Sequence, residues 1–514
     1  MPQHQSPGRR GLQFIRGHAV LILVISALII VPCFWHRRIE AGDLASHVYN
    51  AWLAQLIEKG QAPGLHFVSR WNNVLFDVAL LHLANLAGLS AASKILVAAC
   101  ALIFFWGAFA LIANASGRTP WFLTPVIAML AYGYTFNAGF FNYYLSIGLA
   151  SFSLALFWHA RGREYLYAVA VAPLVLLAHP IGFLWLLGTA GYVFVRRRFP
   201  GWSGLALPAA VLALFAALRW YLLHRTTFEI SWTEKPWYFY NGADQFVLYT
   251  SRFSPLAWAI LAAGLFGLVV ETVQWKKYSQ TCPAALRTLE IYLVAVFSAA
   301  LLPENIRSSP ASAWVGLLVS RLTIVAAIFA LCALSCLVAR KWQLLAGLVC
   351  SVFFFSFLYS DTALLNRLED RAEKITASLP FGTLVIPVLE PPFKSRLRFV
   401  GHLVDRACIG HCFTFSNYEP SSGQFRIRSE KGSPIATASA HDSQEMEGGD
   451  YVVLPTDPPF KNIYSCRIED PQVLCLREIR PGDQTGSGET DFHPEDAPDP
   501  ETDSDSISQS DSDR

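Results

Sequence analysis

The chain has 514 residues, of which 53% are hydrophobic and 13% aromatic, and its formal net charge is +2. This apolar content is typical of a protein whose larger part lies in lipid. Basic residues do not cluster with aromatic residues on a soluble segment, so the sequence gives no reason to expect nucleic acid as a partner and indicates membrane lipids instead.

Apolar segments of about the length of a transmembrane helix follow one another from residue 18 to residue 359. A hydrocarbon core roughly 30 Å thick requires about 20 mostly apolar residues. We therefore predict a polytopic α-helical membrane protein with about 11 spans, of which the shortest are candidates for tilted, re-entrant or merged segments. The predicted spans are 18–35, 92–113, 120–136, 139–158, 164–179, 181–195, 203–223, 254–273, 288–303, 315–338 and 342–359.

Every second connector between these spans is rich in Arg and Lys. Such an excess marks short cytoplasmic loops. The pattern predicts a multi-pass protein of the inner or plasma membrane, with a cytoplasmic N-terminus and an extracytoplasmic C-terminus. The basic residues are Arg9, Arg10, Arg16, Arg118, Arg161, Arg163, Arg196, Arg197, Arg198, Lys276, Lys277, Arg340 and Lys341.

Two long connectors are predicted on the outer side. The first loop, residues 36–91, contains two amphipathic helical patterns over 43–58 and 72–88. We expect these helices to lie in the membrane interface, with Trp52 and Trp71 at headgroup depth. The second loop, residues 224–253, is dense in aromatic and charged residues, and the aromatic run from Tyr132 to Tyr144 favours an interfacial belt.

Residues 360–480 are predicted to form a small extracytoplasmic α/β domain. It would open with a helix near 362–378, and short strands are predicted over 383–389, 397–404 and 450–454. Residues 481–514 are acidic and nearly free of apolar residues, which predicts a disordered tail.

Four cysteines lie in this predicted domain, and an oxidising compartment favours two disulfides among them. Cys408 and Cys412 would be badly oriented for each other on one helix, so we expect each to pair with Cys466 or Cys475. His402 and His411 also permit a metal site with Cys408 and Cys412, but the spacing matches no familiar zinc pattern.

Asp43 is the acid of greatest interest, because it follows the first span directly. A carboxylate at the outer edge of a membrane is well placed to take a proton from an acceptor hydroxyl, or to hold a metal beside a departing phosphate. Asp43 also stands where it would N-cap the following helix, which is a favoured role for Asp.

A multispan chain whose first outer loop opens on an acid, followed by the helical sequence from His47 to Leu53 and by an exported C-terminal domain, resembles the membrane-embedded C-type (GT-C) glycosyltransferases of bacteria. The likeness covers about residues 1–360. It implies a polyprenyl-phosphate-linked sugar donor, catalysis outside the cytoplasm and a catalytic role for Asp43. The resemblance also implies a divalent metal as a cofactor, but many relatives have two adjacent acids or an acid–x–acid pair at this position, where this chain has Gly42-Asp43-Leu44, and this departure argues against a metal.

Four further residues are candidates for substrate binding. Asp77, on the second predicted helix of the first loop, would be a partner acid for Asp43 or part of a solvated helix face. His47 follows Asp43 by one helical turn and would orient Asp43 or a phosphate, or be an ordinary surface residue. His179, before Pro180, would cap a helix or face the site. Arg321 lies in an apolar span, where it would bind a phosphate or snorkel to the interface.

The leading hypothesis is a glycosyltransferase that moves a sugar from a polyprenyl phosphate to an acceptor on the outer face. One alternative is a transporter or flippase of a lipid-linked saccharide, which would place polar residues deep in several spans. Another is a catalytically inactive membrane scaffold.

Overall fold

A computed structural model describes residues 16–162, 164–199, 204, 206–232, 239–273, 285–309, 314–397, 399–467 and 470–486. These residues are mostly helical, and a small sheet lies near the C-terminus. Predictions that concern other residues lie outside the described part of the chain. They include the basic residues Arg9, Arg10, Arg163, Lys276 and Lys277, and the tail from residue 487.

The helices before the C-terminal sheet are α1 (Ala19–Ile30), α2 (Leu44–Glu58), α3 (Leu75–Ala87), α4 (Leu89–Ser116), α5 (Thr124–Ala131), α6 (Tyr134–Asn137), α7 (Phe141–Phe157), α8 (Glu164–Ala178), α9 (Pro180–Arg198), α10 (Ala206–Arg225), α11 (Ser254–Val273), α12 (Ala285–Leu301), α13 (Leu318–Ser335) and α14 (Lys341–Ala377). Short strands β1 (Leu65–Phe67), β2 (Glu229–Ser231) and β3 (Asn305–Arg307) lie between them. Strands β2 and β3 pair with each other, joining the second loop to the connector before α13.

Five of the described helices, α4, α10, α11, α13 and α14, are long and apolar enough to cross a membrane. The number is smaller than the eleven spans that we predicted. The predicted span 120–136 is divided into a 3-10 turn and the short helices α5 and α6, and Gly133, in an extended conformation, separates the two helices. Four further apolar helices of the described residues are shorter than 18 residues, namely α1 with the turn that follows it, α3, α7 and most of α8.

Helix α14 is continuous where we predicted two separate elements. Its 37 residues are about 55 Å long at 1.5 Å per residue, more than one bilayer thickness. The predicted last span, 342–359, and the predicted helix near 362–378 are therefore one rod. The charged final turns of α14 carry Glu369, Asp370 and Glu373, which pair with arginines of the first loop.

The C-terminal domain, here residues 379–486, has a four-stranded sheet in the order β5-β4-β7-β8. Strand β4 is parallel to both of its neighbours, and β7 and β8 form an antiparallel hairpin. The elements are β4 (Thr383–Val388), α15 (Leu403–Ala407), β5 (Cys412–Thr414), α16 (Tyr418–Ser422), β6 (Ile427–Ser429), α17 (Ala440–Gly448), β7 (Phe460–Ser465) and β8 (Leu474–Ile479).

Of the three predicted strands in this domain, only 383–389 is present, as β4. Segment 397–404 leads into α15, and 450–454 has an isolated bridge from Val452 to Gln484. The domain also extends past the predicted boundary at residue 480. Thr485 is buried and donates its backbone N–H to Tyr451, so the first residues of the predicted tail pack on the domain.

The disulfides are Cys408–Cys412 and Cys466–Cys475, so the cross-pairing that we expected is wrong. Helix α15 ends at Ala407, and Gly410 adopts a left-handed conformation that turns the chain back into β5. This brings the Cα atoms of Cys408 and Cys412 to 4.7 Å. Cys466 and Cys475 join the two strands of the β7–β8 hairpin, with Cα atoms 5.6 Å apart.

The first loop is enclosed by the C-terminal domain and does not lie free in the interface. Trp52 on α2 is 8% exposed and stacks on Phe413, and Tyr49 accepts a hydrogen bond from the backbone N–H of Thr414. Strand β1 pairs with β6 of the C-terminal domain. Trp71, by contrast, is 77% exposed. The two predicted helices are present as α2 and α3, but α2 forms the junction between the helical bundle and the C-terminal domain.

Candidate functional site

Asp43 lies at this junction, at the N-cap position of α2. Its carboxylate makes no cap hydrogen bond, and no hydrogen-bond donor among the described residues reaches it. The side chain is 29% exposed. The capping alternative therefore describes the position of Asp43 in the helix, but the carboxylate forms no cap hydrogen bond, and its ion-pair partner is His402 of the C-terminal domain at 3.9 Å.

Two glycines hold the backbone of Asp43 against the turn at residues 137–139. The N–H of Asp43 donates to the carbonyl of Ala138 at 3.2 Å. A Cβ on Gly42 would lie 2.3 Å from the same carbonyl oxygen, and a Cβ on Gly139 would lie 2.3 Å from the nitrogen of Asp43. Gly139 also has a φ of +83°, a conformation that favours glycine. Close backbone contact thus fixes the position of the acid.

One turn along α2, the structure brings together three ionisable groups: His47 and Asp77, which were predicted, and Glu419, which was not. Nδ1 of His47 lies 2.7 Å from a carboxylate oxygen of Asp77 on α3 and 3.7 Å from one of Glu419 on α16. Burial alone would lower the pKa of His47, but the negative charges of Asp77, Glu419 and Asp43 raise it to about 9. Burial raises the pKa of the Glu419 carboxyl, which the charge of His47 opposes.

A small cavity lies beside this cluster, between α2, α3 and the β1–β6 pair. Its volume is about 20 Å³, which is room for one water molecule. The lining residues are His47, Asn50, Ala51, Ala54, Phe67, Asp77, Glu419, Phe425, Arg426 and Ile427. The cluster therefore has access to a hydrated space but not to one that would hold a sugar.

Arg321 lies on α13, on the side of the junction formed by the bundle. Its guanidinium is 4.3 Å from the centroid of the Phe140 ring and interacts electrostatically with Asp43. Its Nε is buried and has no hydrogen-bond partner among the described residues. Tyr143 donates its hydroxyl to the backbone carbonyl of Arg321 at 2.7 Å, which fixes this part of α13. The structure thus places a cation with unused hydrogen-bond capacity near Asp43.

His179 caps helix α9. Its Nδ1 accepts a hydrogen bond from the backbone N–H of Ile181 at 3.2 Å, and its ring packs edge-on against Tyr143. Through Tyr143 it lies close to Arg321, although its ring nitrogen is used in the cap. The predicted interfacial belt of aromatics is instead a buried layer beneath the site. Its buried members are Tyr132, Tyr134, Phe136, Phe141, Tyr143 and Tyr144.

His402 of the C-terminal domain faces Asp43 from the opposite side of the junction. Its Nε2 lies 3.9 Å from Oδ1 of Asp43, and its Nδ1 lies 3.0 Å from Oδ2 of Asp405. Burial would lower the pKa of His402, but the hydrogen bond and charge of Asp405, together with Glu447 and Asp43, raise it to about 10. The ring also packs against Tyr418 at a centroid distance of 5.0 Å.

Buried ion pairs hold the C-terminal domain in this position. Arg406 on α15 binds Glu369 of α14 through two hydrogen bonds of 2.7 and 2.5 Å, and its Nη2 lies 3.1 Å from Glu40 of the first loop. Arg396 binds Asp244 of the second loop at 2.9 Å, and Thr323 of α13 donates to the same carboxylate. These contacts connect the C-terminal domain to the first and second loops and to helices α13 and α14.

Sequence reasoning identified Asp43, His47, Asp77 and Arg321, which the structure brings to one junction. It did not assign roles to Glu419, Asp405 or Arg406, because no local pattern links them to the first loop. Their position at the junction depends on how the C-terminal domain folds, and the sequence carries no local signal of it. Within the described residues, no group of three or more His, Cys, Asp or Glu side chains could hold a metal ion.

Comparisons with protein-family models, with curated proteins and with solved structures find no match to this chain.

Proposed function

We propose that this chain is an integral membrane glycosyltransferase, which transfers a sugar from a polyprenyl-phosphate donor to an acceptor on the extracytoplasmic face. The observation that supports the proposal most is the carboxylate of Asp43, which is partly exposed, has no hydrogen-bond donor among the described residues and lies near Arg321. Close contact holds the backbone of this acid, and its ion pair with His402 at 3.9 Å leaves both carboxylate oxygens able to accept a proton or a hydrogen bond.

In the proposed reaction, Asp43 accepts the proton of an acceptor hydroxyl. The hydroxyl oxygen then forms a bond to the anomeric carbon of the donor sugar, while the bond from that carbon to the phosphate oxygen breaks. Polyprenyl phosphate leaves with the bonding electron pair, and the configuration at the anomeric carbon is inverted. A positioned general base typically accelerates such a step by about 10²–10⁴-fold.

Arg321 would bind the phosphate of the donor. The phosphate gains negative charge as the sugar leaves, so a guanidinium at this point stabilises the transition state more than the ground state. Burial of Arg321 in a membrane helix is costly unless an anion or a polar group compensates for it. Its unpartnered Nε and the fork geometry of guanidinium suit a phosphate.

A transporter or flippase would require a polar path through the bundle. The candidate residues Asp43, Asp77 and Arg321 instead lie at the junction with the C-terminal domain. This arrangement favours chemistry at the membrane boundary. An inactive scaffold would have no need of an exposed Asp43 carboxylate.

The test is a transfer assay with the full chain in lipid nanodiscs and a panel of undecaprenyl-phosphate sugars. We expect release of undecaprenyl phosphate with at least one donor, and a loss of about 10²-fold or more in the Asp43→Asn variant. Glu58→Gln is the matched control, because Glu58 is an exposed acid at the other end of α2. Equal activity of the wild type and the Asp43→Asn variant would contradict the proposed role of Asp43.

A further inference from the structure

His402 and Asp405 form a hydrogen-bonded pair that the proposed reaction does not yet use. Asp405 is buried, with 2% of its side chain exposed, and its carboxylate lies 3.0 Å from Nδ1 of His402. A hydrogen bond of this kind fixes the orientation of the imidazole and the tautomer of the ring. The pair therefore sets the direction in which Nε2 points.

Nε2 of His402 points across the junction toward Asp43. At 3.9 Å the two atoms are too far apart for a hydrogen bond. No other described residue forms a hydrogen bond with Nε2, so its N–H remains available to a ligand. The ring is nevertheless mostly covered, with 14% of the side chain exposed, and Tyr418 packs against one face. The Nε2 edge of the ring is the edge that faces Asp43.

The charges around His402 favour its protonated form. Asp405 lies on its own helix, Asp43 on α2 and Glu447 on α17, and the neutral phenol of Tyr418 lies on α16. Arg321 lies on the bundle side of the junction and interacts electrostatically with Asp43. The partly exposed acid thus interacts with two basic residues that come from different parts of the chain.

We propose that His402 is the second phosphate-binding residue of the site, so that the C-terminal domain completes it. Nε2 of His402 donates a hydrogen bond to a phosphate oxygen of the donor, which Arg321 holds from the other side. Asp405 acts as a positioning residue, since it touches His402 and not the ligand. This inference rests on the proposed function, because it assigns a ligand to the same site.

The proposed site requires the C-terminal domain to keep a fixed position relative to the first loop. Arg406 follows Asp405 directly on α15, and its buried pairs with Glu369 and Glu40 fix that helix against the first loop. A ligand that bridges α13 and α15 requires these elements to keep their separation, because a shift of about 1 Å is enough to impair a site.

The test measures binding of undecaprenyl phosphate to the full chain in nanodiscs at pH 7. We expect His402→Gln to raise the Kd about tenfold or more, since hydrogen bonds between charged groups are the stronger ones. His402→Lys restores a cation and should bind within about threefold of the wild type, and Asp405→Asn should weaken binding by a smaller factor. His441→Gln is the matched control, because His441 is an exposed histidine of the same domain.

The variant Arg321→Gln separates this inference from the proposed function. If Arg321→Gln loses binding while His402→Gln binds as the wild type does, the role of His402 is refuted and the proposed function stands. If neither variant changes the Kd, the phosphate site itself is refuted. Should His402→Gln fail to fold, as judged by its elution and thermal unfolding, Asp405→Asn and His402→Lys decide the matter. Tight binding by His402→Lys together with weakened binding by Asp405→Asn supports the inference, and wild-type affinity in Asp405→Asn contradicts it.

Discussion

Asp43 of the first loop and His402 of the C-terminal domain face each other across 3.9 Å, although the helices of the bundle separate them in the chain. The backbone of Asp43 and the ring of His402 are each held by close contacts. Two close glycine contacts hold the backbone of Asp43, and Asp405 orients the ring of His402. The junction between bundle and domain is therefore built to a fixed geometry, and the predictions below test its parts.

Gly42→Ala should displace Asp43. The new Cβ would lie 2.3 Å from the carbonyl oxygen of Ala138, a contact that only a backbone shift relieves. We expect a loss of about 1–3 kcal/mol in stability, as for other overpacked sites, and reduced transfer. Gly188→Ala is the control, since nothing lies within 4 Å of its added Cβ. Thermal unfolding in detergent measures the stability of both variants, and the transfer assay measures their activity. Unchanged stability in Gly42→Ala would show that the close contact is absent.

Arg406→Gln should loosen the C-terminal domain. The substitution leaves the buried carboxylates of Glu369 and Glu40 without their main cation, and breaking such a pair typically costs about 3–5 kcal/mol. Arg37→Gln removes an arginine that is 63% exposed, from pairs with the neighbouring Asp370 and Glu373, and should cost under about 1 kcal/mol. Limited proteolysis near residue 379 should accelerate in the first variant only. Equal protection of both variants would contradict the structural role of Arg406.

The sequence predicted helices α2 and α3 closely, because apolar periodicity and the breakers around Gly60 are local signals. It also indicated Asp43 and Arg321, since a charge beside or inside an apolar span is conspicuous. It could not place Glu419 or His402 beside them, because those contacts depend on how the C-terminal domain folds back on the first loop. The count of spans was too high because apolar composition does not reveal where a helix is interrupted, as it is at Gly133 between α5 and α6.

The stability of the junction should fall as the pH rises from about 6.5 to 9. The pKa of His47 is raised to about 9 by Asp77, Glu419 and Asp43, above the ordinary value of 6.5. Protonated His47 thus stabilises the folded state fully below pH 6.5, and this contribution, on the order of 3 kcal/mol, is lost as the pH approaches 9. His47→Gln should reduce the pH dependence of thermal unfolding within this window, while the contribution of His402, whose pKa is raised to about 10, remains. A variant with the same slope as the wild type would refute the assignment.

The disulfide pairing can be read from tryptic peptides of the unreduced chain. Cys408 and Cys412 lie in one peptide, Ala407–Arg426, which should be lighter by two hydrogens than its reduced form. Cys466 and Cys475 should link the peptide that ends at Arg467 to the one that ends at Arg477. The turn at Gly410 and the β7–β8 hairpin are the physical reasons. A cross-link between Ala407–Arg426 and either of the other peptides would contradict the structure.

The most direct test of the account is a cryo-EM structure of the full chain in nanodiscs with undecaprenyl phosphate. We predict phosphate density at the junction, within hydrogen-bond distance of the guanidinium of Arg321 and beside the carboxylate of Asp43. The α13 helix and the C-terminal domain should keep the positions described here. Phosphate density bound elsewhere on the chain, with the space between Arg321 and Asp43 unchanged, would contradict the proposed donor site.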